Sequence, residues 1–67
     1  MTEAEYWAAI DRIPLYRQRE SSDGDAWICR DRNNQPVRVT KPEFFRSDDE
    51  RHAALDYYRS MHGPAIN

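Results

Sequence analysis

The residues best suited to holding a metal lie around His52. Asp48 and Asp56 stand four residues before and after it, and Asp49 stands three before. On a helix these spacings bring carboxylates beside the imidazole, and such a group can bind a divalent cation. Asp48, Asp49 and Glu50 at the start of a helix also interact favourably with its dipole, and that structural role, together with a solvated His52, accounts for the pattern. We therefore expect no metal site here.

The chain offers little for nucleophilic or phosphate chemistry. Cys29 is the only cysteine, so no disulfide can form within the chain. A reactive thiol needs a cation or a helix end to lower its pKa, whereas Cys29 lies mid-strand in the predicted fold, a position typical of a small buried side chain. Gly24 and Gly63 are the only glycines, so no glycine-rich phosphate loop is present. We expect no catalytic residue, no cofactor and no enzymatic activity.

A second group of residues suits recognition. Arginine binds carboxylates and phosphates through paired donors and stacks on aromatic rings. A tryptophan surrounded by arginines could therefore contact an acidic protein partner or a single-stranded nucleic acid. The candidate binding residues are Trp27, Arg17, Arg19 and Arg38.

Whether these residues share a surface depends on how two short strands pair across Asn33-Asn34. Asparagine tolerates the positive φ that a two-residue hairpin turn requires. That turn pairs Ile28 with Val39 on the helix-covered face and leaves Trp27 and Arg38 on the open face. A three-residue turn over residues 22–24 would add Arg17 and Arg19 to the open face and Tyr16 to the core.

A different register gives a different surface. A three-residue loop over residues 33–35 puts Trp27, Cys29, Val37 and Val39 on one face, and Trp27 is then an ordinary core residue. The two arrangements bury similar apolar side chains, so the chemistry of the turn decides between them. On that basis we predict the two-residue turn and an exposed Trp27.

The elements that position these residues are marked by capping and turn signals. Thr2 and Glu5 fit a capping box before a helix near residues 3–12, and Pro14 ends it. Similar boxes begin at Thr40 and at Ser47, the last before a helix near residues 48–62. Between the helices lie three short strands with a turn at Asp23-Gly24. Candidate core residues are Ile10, Ile28, Val39, Leu55, Tyr58 and Met61.

This pattern predicts an α+β fold in one domain over residues 1–64, with a frayed tail at 65–67. The element order is α-β-β-β-α, with a three-stranded antiparallel meander and both helices packed on one face. The domain is small, so its core is thin. No motif indicates membership of a known family.

The charge distribution narrows the classes of function. The 67 residues carry a formal net charge of −2, which argues against a simple basic nucleic-acid binder. Residues 15–41 hold six basic and four acidic residues, so the predicted sheet is the basic part of the chain. No apolar run approaches the length of a membrane span, and the acidic N-terminal residues oppose a signal peptide.

These observations predict a small, non-enzymatic cytoplasmic module that binds another macromolecule. Another protein is the first expectation for the partner, bound either by the tryptophan–arginine face or by the helix aromatics Trp7 and Tyr57. The alternative is a nucleic-acid-binding regulator that uses the same basic, aromatic sheet face. We expect no membrane partner.

Overall fold

A computed structural model describes residues 1–63 of the chain. The predicted tail at residues 65–67 lies outside that range. Three strands form one antiparallel sheet in the order β1-β2-β3, and a helix stands at each end of the element order. This is the predicted α+β arrangement. The elements are α1 (Glu3–Asp11), β1 (Tyr16–Glu20), β2 (Ala26–Arg30), β3 (Pro36–Thr40), a 3-10 helix (Pro42–Phe44) and α2 (Asp48–His62).

The helix starts match two of the three predicted caps. Thr2 and Glu5 form a complete capping box before α1. At α2, the Ser47 hydroxyl accepts from the Glu50 N–H at 3.3 Å. The Glu50 carboxylate, however, accepts from the N–H of Arg46 at 2.7 Å, one residue earlier than in a regular box. The box predicted at residues 40–43 is wrong, because the 3-10 helix starts after residue 41 without a side-chain cap.

The core lies on one face of the sheet. It takes side chains from α1, from the strands and from α2, so both helices cover the same face. Ile10, Val39 and Leu55 are fully buried and Tyr58 is nearly so, as predicted. The cluster consists of Tyr6, Ile10, Ile13, Leu15, Cys29, Val39, Leu55 and Tyr58.

The predicted register between β2 and β3 is wrong. Trp27 pairs with Val39, and Ile28 pairs with Arg38. Trp27 therefore lies on the helix-covered face, where it packs against the core. Since neighbouring side chains in a strand point to opposite faces, Ile28 lies on the open face and is only half-buried. The observed pairing is shifted by one residue from the predicted one, and this shift exchanges the side chains on the two faces of β2.

The turn that accompanies this register is stabilised by the Asp31 carboxylate. This carboxylate accepts hydrogen bonds from the N–H groups of Asn33 at 2.8 Å and Gln35 at 2.9 Å. The N–H of Asp31 in turn donates to the Gln35 carbonyl at 3.1 Å. The turn therefore has three residues, 32–34, between the hydrogen-bonded pair Asp31 and Gln35. Among the non-glycine residues described, only Asn34 has a positive φ, of 61°. The carboxylate thus provides an acceptor for the N–H groups of Asn33 and Gln35, which a two-residue turn would direct away from it.

Two further core predictions are wrong. Tyr16 is 64% exposed and Met61 is 60% exposed. Tyr16 pairs with Arg30 in the sheet and so shares the open face with it. Met61 lies in the last turn of α2, beyond the part of the helix that packs on the core.

Candidate binding surface

A β-bulge in β1 separates two of the predicted binding residues. Arg17 stands opposite Cys29, whereas Arg19 stands opposite Ile28, and the register shifts at Gln18 between them. Because Cys29 and Ile28 lie on opposite faces of β2, the two arginines do as well. The four predicted residues are thus divided. Trp27 and Arg17 lie on the helix side, and Arg19 and Arg38 lie on the open face.

Arg17 lies between two tryptophans on the helix side. Its guanidinium carbon is 4.5 Å from the ring centroid of Trp7 and 5.7 Å from that of Trp27. A guanidinium this close to an aromatic ring is attracted by its π electrons. Asp11 adds an ion pair at 3.9 Å. This cluster is held together within the domain, and sequence reasoning missed the part played by Trp7.

Two rows of side chains that cross the sheet on its open face contain arginines. The register puts Arg19, Ile28 and Arg38 in one row, with the isoleucine between the arginines. Adjacent strands lie about 4.8 Å apart, so the two arginine backbones are about 10 Å apart across the sheet. The next row is Tyr16, Arg30 and Pro36. We call these six residues the open face.

The three arginines of the open face have different partners. Arg38 forms an ion pair with Asp23 at 3.0 Å. Arg30 donates to the side-chain oxygen of Gln18 at 3.0 Å and to the Asn34 carbonyl at 3.2 Å, and both acceptors are neutral. Within residues 1–63, neither Arg19 nor Arg30 forms an ion pair. The positive charges of Arg19 and Arg30 are therefore not neutralised by any carboxylate among the described residues.

The outer edge of β3 is blocked to a further strand at both of its ends. Backbone hydrogen bonds join β2 and β3 at both ends of the ladder, from Asp31 to Gln35 and from Lys41 to Asp25. Because alternate residues of an antiparallel strand bond to the same neighbour, the backbone groups of Pro36, Arg38 and Thr40 point away from β2. Proline has no N–H to offer. The Thr40 carbonyl accepts from the Tyr6 hydroxyl at 2.7 Å, and its N–H donates to the Tyr58 hydroxyl at 3.2 Å.

The other sheet edge is β1, which carries the bulge at Gln18. A bulge interrupts the regular spacing of backbone donors and acceptors, and proteins use this irregularity to discourage edge pairing. Both edges of the sheet are therefore poorly suited to strand addition. Within the sheet, the side chains of the open face therefore offer the more accessible surface.

The remaining candidates for chemistry fit structural roles. His52 is exposed and contacts Asp48 at 3.2 Å, and no group of three metal-ligating side chains occurs within residues 1–63. Cys29 is fully buried, and burial raises the pKa of its thiol to about 11, which suppresses the reactive thiolate. The described part of the chain contains no pocket.

No protein-family model, curated protein or solved structure matches the chain. Among the described residues, no helix has both the length and the apolar character needed to cross a membrane.

Proposed function

We propose that this protein is a non-enzymatic binding module that takes an acidic segment of another protein on its open face. The observation that carries the proposal is the row Arg19–Ile28–Arg38, in which an aliphatic side chain lies between two guanidinium groups. An acidic segment with an apolar residue complements this row, because the apolar residue can pack on Ile28 while its carboxylates meet the arginines.

Charge supports an acidic partner. The chain as a whole carries a net charge of −2, yet no strand residue on the open face is acidic. A local basic surface on an acidic protein attracts an acidic segment in one orientation and repels it elsewhere, which favours specific docking.

The side-chain types favour a protein over a nucleic acid. Sheet surfaces that bind single-stranded nucleic acid stack bases on several aromatic rings. The open face has one aromatic residue, Tyr16, which is 64% exposed, and its other apolar groups are Ile28 and Pro36. Aliphatic groups between arginines suit the side chains of a peptide better than the flat faces of bases.

We further propose that the module acts in the cytoplasm without catalysing a reaction. Its single cysteine is free and buried, as is usual for proteins of reducing compartments. A thiol kept protonated by burial is a poor nucleophile. Hydrolase or transferase activity that disappears with Cys29→Ala or His52→Ala would contradict the non-enzymatic part of this proposal.

The experiment that tests the proposed function measures the affinity of a short labelled peptide in which glutamate and leucine alternate. The double variant Arg19→Gln/Arg30→Gln should bind it more weakly than the wild type. Arg46→Gln/Arg59→Gln is the matched control, because it removes the same charge from residues outside the sheet. Equal losses in both double variants would show a non-specific charge effect and would contradict the proposal.

Two more probes identify the class of partner. A peptide in which glutamine replaces glutamate should bind poorly, since it lacks the carboxylates. Single-stranded oligothymidylate, added in the same assay, tests the nucleic-acid alternative. Tighter binding of that oligonucleotide than of the acidic peptide, with a steep loss of affinity in salt, would favour the nucleic-acid reading.

A further inference from the structure

We propose that Asp23 is a built-in competitor of the partner, because its carboxylate occupies Arg38 in the free protein. This inference rests on the proposed function and assigns a role to a residue outside the open face. On the open face, Arg19 and Arg30 have no carboxylate partner among the described residues, whereas Arg38 is paired with Asp23. An acidic segment reaches Arg38 only by displacing Asp23.

The two oxygens of the Asp23 carboxylate have separate partners. Oδ1 accepts from the Ser21 hydroxyl and from the Asp25 N–H, the latter at 3.0 Å. Those bonds hold the turn between β1 and β2, in which Gly24 has a φ of +78°. Oδ2 is directed at the Arg38 guanidinium at 3.0 Å. The turn therefore needs only one oxygen, and the other meets the arginine in the way that a partner's carboxylate would.

The position of Asp23 is fixed before any partner arrives. Its turn is short and closed by the Gly24 N–H, which donates to the Ser21 carbonyl at 3.0 Å. Hydrogen bonds from Ser21 and Asp25, with the charge of Arg38, lower the pKa of Asp23 to about 2. The carboxylate is therefore charged at any physiological pH. It competes as a permanent anion.

A partner can displace Asp23 from Arg38. Both side chains are about half exposed, at 50% for Arg38 and 53% for Asp23. Exposed ion pairs are weak because water and salt screen them. A partner with several carboxylates and an apolar anchor can therefore replace Asp23 at Arg38, whereas a single free carboxylate gains little by doing so.

The test compares Asp23→Asn with Asp25→Asn in the peptide-binding assay. Both variants remove one negative charge from the same turn, but Asp25 makes no ion pair among the described residues. The asparagine amide oxygen at position 23 can still accept the two turn hydrogen bonds. We expect Asp23→Asn to bind the glutamate–leucine peptide about two- to fivefold more tightly than Asp25→Asn, the range that an exposed ion pair supports.

Two further measurements separate the possible outcomes. The gain should vanish in the Arg38→Gln background, and Arg38→Gln alone should raise the pKa of Asp23 measured by NMR. Equal affinities of the two asparagine variants would overturn the competitor role while the proposed function stands. An Asp23 pKa that is unchanged by Arg38→Gln would do the same. If neither the wild type nor any variant binds the peptide, both proposals are wrong.

Discussion

Arg17 and Arg19 lie two residues apart in one strand but point to opposite faces of the sheet, because β1 is bulged at Gln18. Arg17 is thereby placed against Trp7 on the helix side, and Arg19 joins Ile28 on the open face. The same strand thus supplies one arginine to hold the domain together and another to the proposed binding surface.

The first prediction separates these two roles by fluorescence. In a Trp7→Phe background, Trp27 is the only tryptophan and should be partly protected from acrylamide, since it is half-buried. Adding Arg17→Gln should increase its quenching, because the guanidinium 5.7 Å from the ring no longer covers it. Adding Arg19→Gln is the control and should leave the quenching unchanged. An equal increase in both variants would contradict the bulged arrangement.

The second prediction concerns the core on α2. Leu55 is fully buried, so Leu55→Ala should lower the free energy of unfolding by about 2–4 kcal/mol. Met61 lies on the same helix but is 60% exposed, and Met61→Ala should change it by less than about 0.5 kcal/mol. Urea denaturation of the two variants measures both values. A large loss at Met61 would show that the core extends further along the helix.

The sequence predicted the elements well because their ends depend on local groups. The Thr2 hydroxyl and Glu5 carboxylate form their box from neighbours in the chain, and Ser47 caps α2 in a similar way. Such hydrogen bonds involve few residues and can be read from spacing. The fold class and both long helices follow from them.

The register could not be predicted as easily, because the observed turn, with residues 32–34 between Asp31 and Gln35, is neither of the two turns that the asparagines suggested. The Asp31 carboxylate stabilises this turn by accepting hydrogen bonds from the N–H groups of Asn33 and Gln35. An aspartate just before a turn is a recognised sequence signal for bonding to the backbone two residues on, and it could have been weighed. The bulge at Gln18, which places Arg17 beside Trp7, has no comparable local signal in the sequence. The predicted site was divided for these two reasons.

The third prediction concerns the hydroxyl groups that bind Thr40. Tyr6→Phe should lower the free energy of unfolding by about 1–3 kcal/mol, because the Thr40 carbonyl loses its donor. Tyr57→Phe is the matched control, since Tyr57 is 60% exposed and its change should stay within about 0.5 kcal/mol. Chemical denaturation measures both. Equal effects would contradict a specific role for the Tyr6 hydroxyl.

The fourth prediction concerns acid stability. The pKa of Asp23 falls from 3.8 to about 2 on folding, so the folded state favours its charged form. This contribution is fully present above pH 3.8 and is lost as the pH falls towards about 2. Asp23→Asn should therefore flatten the dependence of unfolding free energy on pH within that window.

Urea titrations at several acidic pH values measure that dependence. Asp25→Asn serves as the control, and it should keep the steeper slope of the wild type. If both variants showed the same slope as the wild type, the Asp23 carboxylate would not be stabilised by its turn in solution.

The two tyrosine hydroxyls at Thr40 also bear on aggregation. They connect both helices to β3 and occupy backbone groups that a neighbouring molecule's strand would need. Detaching either helix therefore uncovers an edge capable of intermolecular β-pairing at the moment when the core opens. The folded protein should resist fibril growth even in concentrated solution, and self-association should begin only under conditions that populate the opened state.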